Sequence, residues 1–490
     1  MASQITADGR VIAPLNITNP APALDLAGFQ WAAVTEVNRG PQLPQRAVAA
    51  QKPLSSQQPE SAEEQVHDQL THPGGPSEKP PPPLAFPLTH FQGAYAGNGF
   101  NLIWIPTQFP GLTVNTEGDD GPDDAKLLLS LTTEQLTFGP TLGNIPNRGI
   151  DKQDDIELTG LAYMQSVQNV TNTVTGKGDK PRTAVGSGIH FEPGVWLYVP
   201  KADFQTGDSI VRMASIPHGT TINAQGVVPP KNPDNALGGV TGAPTFGPVD
   251  STPFNIKETV DDKGQKKGVI NRLVDAFKAP MDPHRVNETR RVPENLALFV
   301  DAETITKEII KDPNVILQNA IRGLHITDHI AFEITTGTPE ETPIPEGTPK
   351  AQLNGGGTAN IAFLAGPQKI TTLAPGARGP NAHAESMTAK FWIERVEYDV
   401  IVPNLKEYDS VELRPEMPPS PHQAPTPRFW ITAPKGGVPR AGKKIKVPGI
   451  QIQYSQTVNL VFGGLVWPHI SVATLVPTDP QPYRMTGKEY

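Results

Sequence analysis

The chain contains no cysteine among its 490 residues. Disulfides, thiolate catalysis, iron–sulfur clusters and zinc–thiolate sites are excluded together. Apolar residues are also sparse, at 37%, so part of the length is expected to stay outside any core. No apolar run approaches the roughly 18 residues that a membrane-spanning helix needs. Met1 to Pro14 lacks a charged segment followed by an apolar one, the pattern of a secretory leader. A soluble, cytoplasmic protein with no membrane span is the expectation. Both charge signs are dispersed around a net of −9. There is no long basic stripe with interleaved aromatics, which argues against a nucleic-acid partner.

What the chain has in excess is proline, 54 residues, and glycine, 45. They divide it. Residues 1–83 are rich in Pro, Gln, Ser and Glu and end in the run Pro80 to Pro83, so they read as an extended or disordered arm. Strand-like texture begins at Leu84. The expected organisation is a first part of a β-domain at 84–230, an excursion with short helices at 231–323, a second part at 324–478, and a tail at 479–490.

Strands are expected at Tyr95–Ile105, Lys126–Phe138, Asp155–Val170, Gly188–Val199 and Ser209–Ser215. After the excursion they resume at His325–Thr335, Asn360–Ala365, Met387–Val402, Ile450–Phe462 and Ile470–Val476. Turn chemistry such as Gly143-Asn144-Ile145-Pro146-Asn147-Arg148-Gly149 separates some of them. A helix is signalled by Asp312 as N-cap, Pro313 at the first helical position and Gly323 as the stop, with another helical stretch at Glu303–Ile310 before it. Its partial amphipathicity suits a plug or lid on a barrel end. Gly93, Gly97 and Gly99 interrupt a strand bearing Phe91, Tyr95, Phe100 and Trp104, and glycines so placed mark bends or close backbone approach. Ten strands with few helices predict an all-β fold, a single antiparallel up-and-down β-barrel. A two-sheet sandwich is the competitor.

In the strand Gly188–Val199, His190 and Glu192 share a face, with Phe191 opposite. Such a pair can ligate metal, shuttle a proton, or satisfy itself inside a barrel. His218, between proline and glycine, is expected in a turn at the rim. His325 and His329 fall on a strand, about 13 Å apart and too far for one metal. In Ile450–Phe462, Ile450, Ile452, Tyr454 and Gln456 share one face and Gln451, Gln453 and Ser455 the other; either could line a cavity. Trp467-Pro468-His469 opens the last strand, and a neutral histidine facing an apolar cup is what an axial haem ligand requires. No Gly-x-Ser-x-Gly elbow, P-loop or His-Glu-x-x-His is present.

Taken in order, these segments resemble a family. Gly93-x-Tyr95-x-Gly97-x-Gly99 resembles the Gly-x-aromatic-x-Gly-x-Gly opening of nitrobindin-like, calycin-type (lipocalin-type) barrels. Glu134-Gln135-Leu136-Thr137-Phe138 is similar to their Glu-x-hydrophobic-x-Phe. His190-Phe191-Glu192-Pro193-Gly194 resembles His-x-Glu-x-Gly, and Ile216-Pro217-His218-Gly219 with Gln225-Gly226 resembles the later His-Pro-x-Gly turn. The resemblance covers about 84–226 and 324–476. It implies a ten-stranded barrel binding a hydrophobic small molecule, haem foremost, with His469 as the axial metal ligand. Tyr95, Trp104, Trp467 and His218 would then flank the ligand. A metal-free barrel enzyme with His190 and Glu192 as its acid–base pair is one alternative, and a self-assembling structural sandwich is another.

Overall fold

Glycine decides how the first strand meets its neighbours. A side chain at Gly99 would collide with the Val472 carbonyl and with Glu134, and one at Gly97 with the Thr474 carbonyl. Two strands therefore pass closer here than any side chain would permit, which lets the sheet coil tightly. In the computed structural model the residues described are 4–5, 11–12, 84–106, 125–149, 154–180, 188–201, 207–217, 219–251, 254–255, 290–291, 296–336, 357–360, 383–462 and 465–489.

Ten long strands form a closed ring in chain order. They are β1 (Ala94–Pro106), β2 (Ala125–Asn147), β3 (Ile156–Asn169), β4 (Gly188–Val199), β5 (Ser209–Ser215), β6 (Thr220–Val227), β7 (His325–Thr335), β8 (His383–Val402), β9 (Lys443–Phe462) and β10 (Leu465–Pro477). Each pairs antiparallel with the next, β10 returns to β1, and Thr335 opposite Gln225 closes β7 on β6. This is the expected up-and-down barrel, and no edge-open sandwich forms.

One strand differs in membership. Thr220–Val227, absent from the expected strands, is a wall strand that also carries the polar Thr221, Asn223 and Gln225. Those side chains alternate with the inward Ile222 and Ala224, which lie in the core. Gly357–Asn360 pairs only with β6 beside the closure, and 361–365 of the expected strand lie outside the described residues. The turn expected at 143–149 is instead the end of β2, carried to Asn147 through two register shifts against β3. Between β7 and β8 the register shifts once, where Thr327 of β7 is the extra residue opposite Arg395 and Val396.

The helices do not plug an end. α1 (Ala297–Asp301), α2 (Lys307–Lys311) and α3 (Val315–Ala320) pack on the outer wall. Leu296, Phe299, Ile305, Ile309, Ile316 and Leu317 form one cluster with the outward Phe100, Leu102 and Trp104 of β1, Leu127 and Leu131 of β2, and Ile470 and Val472 of β10. The reason is compositional. Leu127-Leu128-Leu129 is apolar on both faces of its strand, so the outer face needs covering as much as the inner. Asp312 ends α2 rather than beginning the next helix directly; its carboxylate accepts from the Asn314 amide at 3.1 Å, and Asn314 is the N-cap of α3.

Inside, the barrel is partly filled. Phe91 stacks on Phe138 with centroids 4.7 Å apart, Phe332 on Phe391 at 5.5 Å, and Trp196 stands edge-on to Phe91 at 5.3 Å and to Phe391 at 5.2 Å. Segment 84–93 brings Leu88 and Phe91 into this aromatic core. A third cluster lies beyond the barrel, where Tyr398–Val402 of β8 and Lys443–Val447 of β9 continue as a two-stranded ribbon. It packs Val400, Ile445 and Val447 against Phe429 and Ile431 of a small three-stranded sheet.

Candidate functional site

Above the aromatic core the barrel interior opens into a cavity of about 320 Å³. Its wall is read off the strands by period two. Tyr454, Gln456, Val458 and Leu460 succeed one another up β9; Ser471 and then His469 up β10; Asn101 and then Ile103 on β1; Ser130 and then Leu128 on β2. Gln165 and Val167 come from β3 and His190 from β4. The inner level is polar. The outer level, where Leu128 is 39% exposed, is mainly apolar.

The floor is a buried charge network. Arg212 enters from β5 on the same face as Ile210 and Ala214. Its Nη2 meets Glu192 Oε1 at 2.6 Å and its Nε donates to the Tyr163 hydroxyl at 2.8 Å. Nη1 donates to Gln456 at 2.8 Å, and Nη2 also reaches Gln165 at 3.2 Å. The guanidinium lies 5.5 Å from the Tyr163 ring centre and 5.8 Å from those of Trp196 and Phe391. Tyr163 also donates to Glu192, and His190 Nε2 lies 3.0 Å from Glu192 Oε2. Burial opposes the charge on Glu192, but Arg212 and the hydrogen bonds from His190 and Tyr163 outweigh it and hold that carboxyl down to about 2.

Glu134 is the opposite case. Burial pushes its carboxyl up to about 7, against hydrogen bonds from Tyr454 and Gln165. Tyr454 donates to both of its oxygens, at 2.8 and 2.7 Å, and Gln165 Nε2 reaches it at 3.1 Å. Two buried carboxyls under one cavity are therefore shifted in opposite directions.

The residues singled out from the sequence separate into groups. His190 and His469 both line the cavity, on strands four places apart round the ring of ten. Glu192 lies beneath, fully buried. Tyr95 is in the aromatic core, its ring 5.8 Å from Phe138. Trp104 and Trp467 belong to the helix-covered outer cluster instead of the cavity lining; for Trp104 the cause is parity, since Tyr95, Asn101 and Ile103 take the inward positions of β1. His218 lies outside the described residues. His325 meets Glu397 at 3.0 Å while His329 meets the Gly242 carbonyl at 2.7 Å, so the two have separate partners. No group of three or more metal-ligating side chains occurs among the described residues. No helix among them is long and apolar enough to cross a membrane.

The sequence alone assigned no site role to Arg212, Gln165, Glu134 or Asn101. The available signal was Arg212 itself, a charge set between Ile210 and Ala214 on an otherwise apolar strand face.

Comparison with known proteins adds little. No family model and no curated protein matches this chain. Among solved structures it is similar to the one described as Rv2717c from M. tuberculosis, at 10% identity over 80% of this chain and 95% of that chain. The TM-score is 0.25.

Proposed function

We propose that the protein binds a hydrophobic small molecule in the barrel cavity, with haem as the first candidate and His469 as its axial ligand. The observation that carries this reading is the outer level of the cavity, where His469 stands among Ile103, Leu128, Val458 and Leu460. One imidazole among apolar walls suits the donor set of a haem iron. No Lys or Arg lies among the described lining residues, so carboxylates on such a ligand belong at the mouth, in solvent. A bound haem would supply redox or ligand-binding chemistry at its iron. The chain's own part is to offer the His469 nitrogen, exclude water with the apolar level, and present His190 from the other side of the ring.

A second reading is a metal-free barrel enzyme. The His190–Glu192 contact favours it, with divided roles: Glu192 stays ionised against Arg212 and orients the imidazole, and His190 alone exchanges protons.

The test is an absorption titration of the full chain with hemin, repeated for His469→Ala. A saturable Soret band that shifts or is lost in the variant is the expected result. No saturable band in the wild type overturns the haem reading and leaves the metal-free one.

A further inference from the structure

The inner level of the cavity carries four polar side chains in a row. Gln456 pairs in register with Ser471, Ser471 with Asn101, and Asn101 with Ser130, and all four line the cavity. Gln456 is committed, because its Oε1 accepts from Arg212. Asn101 is not: its Oδ1 is buried and has no hydrogen-bond partner among the described residues. An unpaired buried amide oxygen is a standing cost unless something else fills its valence.

Charge narrows what that can be. No Lys, Arg, Asp or Glu occurs among the described lining residues. Just behind it Arg212 is paired with Glu192, and the Glu134 carboxyl is held by Tyr454 and Gln165. An ion brought to this level would lose its water and meet no Lys, Arg, Asp or Glu side chain; of the two lining imidazoles, His190 is turned to Glu192 and His469 stands one step outward. An uncharged polar group loses far less and finds Asn101 with hydroxyls on both sides. One step outward along the same strands stand Ile103, Leu128 and Val458, so the rest of the molecule must be apolar.

We propose that the cavity selects an uncharged ligand whose apolar body occupies the outer level and whose inner end carries a hydroxyl or carboxamide, hydrogen-bonded to Asn101 between Ser130 and Ser471. This rests on the cavity being a ligand site, and not on the ligand being haem.

Three bicyclic probes of one shape test it: naphthalene, 2-naphthol and 2-naphthoate, each titrated by its own fluorescence against the full chain and against Asn101→Leu. In the wild type 2-naphthol binds roughly tenfold more tightly than naphthalene, the size of one hydrogen bond, and 2-naphthoate binds most weakly. In Asn101→Leu the preference disappears with no fall in melting temperature, because the variant removes a buried amide oxygen that has no partner. Equal affinity for naphthol and naphthalene in the wild type overturns the proposal and leaves the cavity a site filled by water at this level. A preference retained in Asn101→Leu overturns it as well. If hemin binds through His469 and 2-naphthol does not compete, the selection fails while the ligand-site reading stands. If neither hemin nor any of the three binds, both fall.

Discussion

Arg212 and Glu192 form a buried ion pair at 2.6 Å, with the Arg212 and Glu192 side chains 3% and 0% exposed. Removing one partner of such a pair leaves the other charge in a low-dielectric interior. Glu192→Gln is therefore expected to destabilise the fold by about 3–5 kcal/mol, read as a lowered midpoint in urea unfolding. His190→Gln, at a side chain 20% exposed, should cost under ~1 kcal/mol. Equal losses for the two variants would contradict the geometry.

The pH dependence of stability should have two limbs. Burial raises Glu134 to about 7 and Glu394 to about 8, whereas both ionise near pH ~4.3 in an unfolded chain. The folded state therefore holds protons that the unfolded state releases. Their stabilisation is full below pH ~4.3 and is lost as pH rises through about 7 and 8. Glu192, held down to about 2, has the opposite sign: its contribution is present above pH ~4.3 and is lost as pH falls toward 2. Melting temperatures across pH should fall on both sides of an acid-side maximum. Glu394→Gln, which mimics the protonated acid beside Gln451, should flatten the alkaline limb.

Barrel closure depends on Gly226. A side chain there would overlap the Glu333 carbonyl oxygen on β7, whereas one at Gly247 would meet nothing within 4 Å. Gly226→Ala is expected to cost at least about 1–3 kcal/mol and Gly247→Ala less than ~0.5 kcal/mol. Paired denaturation curves check the contrast.

Trp104 separates packing from binding. Buried beneath the helices, it should cost about 3–5 kcal/mol when cut to alanine. The affinity of the folded variant for an apolar probe should stay unchanged. Leu128→Asn, at the cavity mouth, should weaken that probe with little loss of stability. Calorimetric melting and fluorescence titration read the two effects separately.

Much of the barrel was legible in the chain itself. Period-two alternation and turn residues marked most of the wall strands, because a wall with a core on one side forces that pattern on any sequence that builds it. The same rule put His190 with Glu192 and Tyr454 with Gln456 on shared faces. It could not say which face was inward. Outside β1, β2 and β10 the wall is covered by helices, so Trp104 looked as buried from the sequence as Tyr95 does from within.

The sequence by itself determined the fold class, the near-complete strand inventory and the histidines worth watching, since these follow from local periodicity and residue chemistry. Tertiary structure alone decided that the helices cover a side, that stacked aromatics fill part of the barrel, and that Arg212 and Glu134 lie beneath the cavity that Asn101 lines. Asn101 and Gln456 lie on strands hundreds of residues apart in the chain and join through Ser471. Such contacts are set by strand register and ring closure, which no short stretch of sequence encodes.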